Sequence, residues 1–403
     1  MADYTFSKRS HRVPRSFIRE ILKVSGEPDI ISFAGGLPHP GLFPIRELKD
    51  AFIRLMEDRG SESVQYGPSE GFWPLREWVC DRYRKRAGLD ISPDNVLITT
   101  GSQQGLDLVG KVFLDEDDFV AMERPGYLGA IQAFTFYAGA IIQVPLKGDG
   151  PDMDVLESTL SEKRPKIFYA IPNFQNPSGQ SYNLEKRKYL ADLCTRYGTV
   201  LVEDDPYGEL RFAGTDLPTV TSFMNSNFVL LGTLSKIAAP GLRVGWVVGD
   251  EAVLERLLVA KQAADLHTST LTQQLAWQYL TTYDVDEHIE VIRKVYRRQR
   301  DCMINMIRQH FPSDINVTEP EGGMFLWVTL PDGCSSVELF EIAIREKVAF
   351  VPGAPFYVDG GGMNTMRLNF SNADETAIEE GIIRLGKCIV EYMRGKGGDE
   401  VSK

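Results

Sequence analysis

Lys236 stands in TLSKIAAPGLRVGW, a segment of small and apolar residues between two apolar runs. An ammonium there is expensive to bury, so the amine sheds its proton more easily and becomes a nucleophile. In EDDPYGE, the residues Glu203, Asp204 and Asp205 close the strand-like run TVLVEDD, with Tyr207 close behind. A carboxylate at the carboxyl end of a strand can pair with a cationic ring nitrogen, keeping it protonated so that the ring withdraws electrons. Arg367 lies inside the apolar run NTMRLNFS, where an unpaired guanidinium is costly and a bidentate carboxylate would satisfy it. TTGSQQG puts Gly101 and Ser102 where a strand gives way to a helix, so free N–H groups and the helix dipole face any phosphate placed there. A turn motif, NPSG from Asn176 to Gly179, completes the set.

These residues are far apart in the chain, so the elements between them must bring them together. The middle of the chain alternates short β-branched runs with helical periodicity: NVLITT then GLDLVGKVFL, DFVAME then YLGAIQAFTFY, KIFYAIP then LEKRKYLADLCTRYG, followed by TVLVEDD, FVLLGTL and RVGWVVG. Such βα units predict an α/β fold with a mainly parallel sheet, buried on both faces. Ligands of such sheets gather at the carboxyl ends of the strands, and TTGSQQG, NFQNPSGQ, EDDPYGE and TLSKIAAPGLR each follow one of these runs. Upstream, RSFIREILKV places Phe17, Ile18, Ile21 and Leu22 on one face of a short amphipathic helix whose polar face carries Arg15 and Arg19. DIISFAGGLPHPGLFP then runs from a strand-like start into a Gly/Pro loop, where Gly35 and Gly36 permit close backbone approach. Downstream, an amphipathic stretch from Asp286 to His310 leads to an α+β lobe with strands in GGMFLWVTLP and NTMRLNFS, helices in SSVELFEIAIREK and DETAIEEGIIRLGKCIVEYMR, and a frayed tail KGGDEVSK. The expected division is 1–45 as an N-terminal arm and helix belonging to a small domain, 46–285 as a large domain, and 286–403 as the rest of the small domain.

With these elements in order, the chain resembles the fold-type I aminotransferases of class I/II, which depend on pyridoxal 5′-phosphate (PLP). Within them it is most similar to the 2-aminoadipate aminotransferases of the lysine-biosynthesis type. ISFAGGLPHPGLFP, QYGPSEGFWPLRE, LITTGSQQGLDLVGKVFLDE, IPNFQNPSGQ, VEDDPYGELRF, LSKIAAPGLRVGW, AKQAADLHT, GGMFLWVTLP and AFVPGAPFY carry the likeness over nearly the whole chain. The resemblance implies a large PLP-binding domain with a seven-stranded, mainly parallel sheet flanked by helices, and a smaller α+β domain. It implies that Lys236 bonds covalently to the cofactor aldehyde and then shuttles the substrate Cα proton. Asp204 would bind the pyridine nitrogen, Tyr207 and Asn176 the 3-oxygen of the ring, and Tyr127 would stack on the ring. Ser102, Gln103, Ser235 and Arg243 would hold the phosphate, joined by Tyr66 from the partner subunit, which makes a homodimer part of the expectation. Arg367 would clamp the substrate α-carboxylate, with Gly36 backing the bound amino acid, and Arg19 would meet a distal carboxylate. Gln103 and Gln104 depart from members with smaller residues after the serine, which leaves open which of the two touches phosphate. The implied reaction moves an amino group between an amino acid (2-aminoadipate, glutamate, aromatic or branched-chain) and a 2-oxo acid such as 2-oxoglutarate.

Composition narrows the alternatives. A chain of 403 residues with 43% hydrophobic content is long enough for one large core and a second, smaller one. Its formal net charge of -12 speaks against a nucleic-acid partner. Five cysteines, scattered and never in CxxC spacing, suggest neither a disulfide framework nor a metal site. No apolar span is long enough for a bilayer and no apolar signal segment follows the basic N-terminus, so the expected compartment is the cytoplasm. Two rival readings share the fold: a PLP-dependent β-lyase, and the effector-sensing domain of MocR-like transcription regulators. The latter carry an N-terminal winged helix, whereas the likeness here starts near Arg15.

Overall fold

The computed structural model describes residues 4–12, 27 and 29–399. The amphipathic helix expected over Arg15–Val24, and Arg19 with it, lies outside the described residues. Strands β1 to β13 run Ile31–Ser32, Val96–Thr99, Phe119–Arg124, Ala140–Pro145, Ile167–Ala170, Val200–Asp204, Phe228–Thr233, Gly245–Gly249, Asn316–Val317, Phe325–Thr329, Val348–Ala349, Val351–Pro352 and Thr365–Asn369. Seven of them form one sheet in the order β2-β8-β7-β6-β5-β3-β4. All its pairings are parallel except those of β8, which runs antiparallel to both β2 and β7. The runs VLIT, IFYA, FVLLGT and GWVVG are buried at every position, as a sheet covered by helices on both faces requires.

Six of the seven strands coincide with the apolar runs named above. The seventh, AIIQVP in β4, is the outermost strand beside β3, and most of its residues are only partly buried. An edge strand needs no continuous apolar run, and that is why pattern alone passes over it.

The second lobe builds on an antiparallel sheet, β12-β13-β10-β9, while β1 pairs with β11 and so ties residues 31–32 to 348–349. The helix Val285–His310 starts under a side-chain cap, Asp284, which accepts from the backbone N–H groups of Asp286 and Glu287. Ile289, Ile292, Tyr296, Gln299, Met303 and Ile307 form its buried stripe. The last helix runs from Glu375 to Asp399, so the helix extends into the segment read as a frayed tail. Among the described residues no helix is long and apolar enough to cross a membrane.

Candidate active site

At the carboxyl ends of the parallel strands lies a cavity of about 770 Å³. Gly36, Ser102, Gln103, Tyr127, Asn176, Asp204, Tyr207, Ser235, Lys236, Arg243 and Arg367 all line it. Of the expected site residues that the structure describes, only Tyr66 lies elsewhere. It is 79% exposed, with its ring edge-on to His267.

Lys236 follows β7 in a turn closed by the Ala238 N–H donating to Leu234 O. Its Nζ donates to Gly36 O at 3.0 Å. Burial, then the positive charges of Arg367 and Arg243, lower its pKa to about 8. A Cβ on Gly36 would meet the Phe325 ring at 3.3 Å.

The three acids at the end of β6 are not a solvated turn. Glu203 faces away from the cavity and accepts from the N–H groups of Val220 and Thr221 at 3.0 and 2.8 Å. Asp205 accepts from Asn173 Nδ2 at 2.8 Å and from Gly208 N at 3.0 Å. Asp204 points into the cavity, where one oxygen accepts from Tyr169 OH at 2.8 Å and the other, Oδ1, is buried without a partner. Burial pushes its pKa up to about 7, against the pull of the Tyr169 hydrogen bond. Sequence reasoning missed Tyr169. In the parallel register it lies beside Val202, two residues before Asp204 and on the same face of the sheet, a diagonal that a long aromatic side chain spans.

Arg367 on β13 is fully buried beneath the cavity. It donates through Nη1 to Asn176 Oδ1 at 2.7 Å and through Nη2 to Ala34 O at 2.8 Å, while Nε has no partner. Its guanidinium lies over the Phe325 ring at 4.4 Å and near Phe356 at 5.5 Å. Burial lowers its pKa to about 10, so it stays cationic at neutral pH. Asn176 also donates from Nδ2 to Tyr207 OH at 3.4 Å, joining the residues expected at the ring oxygen to the one expected at the substrate carboxylate.

The two glutamines after Ser102 part company. Gln103 lines the cavity and donates to Gly129 O at 3.0 Å, whereas Gln104 is turned to the other side and bonds to Asp265 and Lys261. The far wall comes from the helix Leu128–Thr135, whose Leu128, Ile131, Gln132 and Thr135 recur at helical spacing on the cavity side, with Pro355 nearby. Among the described residues lining the cavity, the cations are Lys236, Arg243 and Arg367.

Over nearly its whole length the chain is similar to known proteins. The family model described as aminotransferase class I and II matches residues 29–385. A 2-aminoadipate transaminase of Thermus thermophilus is 44% identical over 388 residues, covering 95% of this chain and 96% of the relative. An aromatic-amino-acid aminotransferase of Thermococcus litoralis is 40% identical, covering 96% and 95% respectively. The crystal structure of the α-aminoadipate aminotransferase LysN from Thermus thermophilus, complexed with N-(5′-phosphopyridoxyl)-L-leucine, superposes with a TM-score of 0.90 at 43% identity, covering 96% of this chain and 98% of that one.

Proposed function

The chain belongs to the class I and II aminotransferases, and from that premise we propose that Lys236, Asp204 and Arg367 divide between them the covalent, electrostatic and substrate-binding work of a PLP-dependent amino-group transfer. The observation that carries this reading is the one cavity on which an amine of lowered pKa, an unpartnered carboxylate oxygen and a buried guanidinium converge. The residues fit the cofactor. Asp204 Oδ1 is buried with no donor in reach, a costly state that a protonated ring nitrogen relieves. Gly101, at φ 75°, leads into the helix Ser102–Phe113, whose first residues Ser102 and Gln103 line the cavity, so its N-terminal N–H groups would suit a phosphate.

When bound, PLP supplies an aldehyde for an amine and a ring that accepts the electron pair left at the substrate Cα. Lys236 would hold the cofactor covalently through Nζ, and the same amine, once free, would carry the proton of the substrate Cα. Asp204 would keep the ring nitrogen protonated, and Tyr127 would stack on the ring. Asn176 and Tyr207 orient the ring oxygen. Ser102, Gln103, Ser235 and Arg243 would hold the phosphate, and Arg367 would orient the substrate α-carboxylate, with Gly36 backing the bound amino acid. The spare donor on Arg367 leaves it a hydrogen-bonding position beyond those used on Asn176 and Ala34. Arg367→Lys retains the charge but not the planar fork, so KM for the amino acid is expected to rise about 10- to 100-fold with a smaller change in kcat. Steady-state kinetics at saturating oxo acid check this, and an unchanged KM would remove Arg367 from the substrate.

For the substrate side chain, the wall of Leu128, Ile131, Gln132, Thr135 and Pro355 favours long, uncharged groups such as aromatic and branched-chain ones. The described lining offers a distal carboxylate no cation beyond those already used, so acidic substrates such as 2-aminoadipate and glutamate depend on Arg19. A donor screen with 2-oxoglutarate as acceptor is expected to yield glutamate from 2-aminoadipate, leucine and phenylalanine. Arg19→Ala should then lower kcat/KM for 2-aminoadipate about tenfold or more and leave leucine and phenylalanine nearly unchanged. An equal loss for all donors would count against the Arg19 role, and release of pyruvate and ammonia without an acceptor would favour a lyase.

The functional unit in this reading is a homodimer with Tyr66 inserted beside the partner's phosphate. Phe52, Ile53 and Met56 on the helix Ile45–Ser63, with Val64 and Tyr66 just beyond, leave an exposed apolar surface of the kind that marks an interface. The free state of all five cysteines suits a reducing cytoplasm.

A further inference from the structure

Lys261, on the helix Glu251–Asp265, is a cation at 0% exposure that none of the roles above employs. Burying an ammonium costs free energy that an apolar side chain in the same place would not, and it persists only where acceptors surround it. Its Nζ donates to Gln104 Oε1 at 3.0 Å, to the two oxygens of Asp265 at 2.8 and 3.0 Å, and to Thr268 Oγ1 at 3.0 Å.

All three partners also grip Thr100. Gln104 Oε1 accepts from the Thr100 N–H at 2.8 Å, Asp265 Oδ2 accepts from Thr100 Oγ1 at 3.0 Å, and Thr268 Oγ1 shares a hydrogen bond with Thr100 Oγ1 at 3.3 Å. Gln104 Nε2 closes the ring by donating to Asp265 Oδ2 at 2.7 Å. On the opposite side of the same turn, the Thr100 carbonyl accepts from Arg243 Nη2 at 3.3 Å. Gly101 is pressed so close that a Cβ would stand 2.6 Å from Arg243 Nη2, and a Cβ on Gly245 would stand 2.7 Å from Ser102 N. The turn is therefore clamped on both faces. Its outcome is the direction of the N–H groups of Ser102 and Gln103, which open the helix and have no carbonyl to reach within it.

We infer that Lys261, acting through Gln104, Asp265 and Thr100, is a positioning residue that sets the affinity of the Gly101–Ser102 turn for the cofactor's phosphate, and for that part of the cofactor alone. This rests on the reading of the turn as the phosphate site. A polar network is needed here because an apolar pair could fill the space but could not fix the Thr100 N–H and hydroxyl. Asp265 keeps 27% of its side chain exposed, so it stays solvated when the lysine is removed.

The test compares two vitamers that share ring and aldehyde. Full-length protein freed of cofactor is titrated with PLP and, separately, with pyridoxal, which lacks the phosphate, for wild type, Lys261→Met and Gln104→Met. Each variant is expected to bind PLP about tenfold or more weakly, the cost of one or two misdirected charge-assisted hydrogen bonds, while its affinity for pyridoxal stays within about twofold of wild type. Gln104→Met keeps the proposal testable should Lys261→Met fold poorly. Equal weakening toward both vitamers would mean general damage to the site and would overturn the inference, as would unchanged PLP affinity in both variants. Wild-type protein that binds the two vitamers equally tightly would instead refute the phosphate reading on which the inference rests.

Discussion

Lys236→Ala is expected to reduce turnover by about four orders of magnitude or more and to leave the protein without the visible absorbance of a covalently held cofactor. The size follows from the two tasks that meet on one atom. General base catalysis is worth about 10²–10⁴-fold on its own, and loss of covalent capture adds to it. The amine is placed for both tasks by burial, which lowers its pKa to about 8, with the neighbouring cations Arg367 and Arg243 acting in the same sense. At pH 8 such an amine is about half deprotonated, whereas an ordinary lysine is about 0.3% so. Because the reactive form is the unprotonated one, the rate at which cofactor-free protein captures the aldehyde should rise as pH is raised through about 8 and level off above it. Borohydride reduction followed by peptide mapping locates the label. A label on another lysine, or a Lys236→Ala protein that still turns over at the wild-type rate, would end the assignment.

Three of the residues that could be read from sequence share one property: they are charged groups within or at the end of apolar runs. Lys236, Asp204 and Arg367 announce themselves because each would be costly where it stands unless something pairs with it. The sheet's mainly parallel character follows from βα alternation, and the four ligand-facing loops converge because strand ends in such a sheet share one rim. What remained hidden depends on register and helix packing. Tyr169 is an ordinary aromatic in KIFYAIP until β5 is aligned with β6, which puts its hydroxyl on Asp204. Lys261 and Asp265 are spaced i,i+4 on a helix, a pattern that usually marks a solvated surface pair. Only the packing of that helix against the Thr100 turn makes Lys261 a buried residue. Gln103 and Gln104 show the same limit, since both follow Ser102 and the helix phase alone sends one into the cavity and the other out of it.

Asp204→Asn is the substitution with the second largest expected effect, and it separates catalysis from stability. An amide has nearly the same shape but no charge, so in the proposed arrangement the ring nitrogen would lose the partner that keeps its proton. Breaking a buried ion pair costs about 3–5 kcal/mol, which expressed in the transition state is a fall in kcat of roughly 10²- to 10⁴-fold, with KM changed less. Tyr169→Phe should follow the same direction more weakly, about tenfold, because it removes one hydrogen bond to the carboxylate. The Tyr169 hydroxyl lowers the pKa of Asp204 against the upward push of burial. Removing it raises that pKa, and because the ionised carboxylate is the active form, the acid limb of kcat moves to higher pH. Stability should move the opposite way. A carboxyl whose folded pKa is raised, here to about 7 against 3.8, contributes stability that is present below the unfolded pKa and is lost as pH rises through the folded one. At pH 8 the cofactor-free wild type therefore bears the cost of a buried carboxylate, and cofactor-free Asp204→Asn is expected to melt at a higher temperature. A variant that loses kcat and also melts below wild type would point to misfolding as the cause, and one that keeps kcat within about threefold would remove Asp204 from the ring nitrogen.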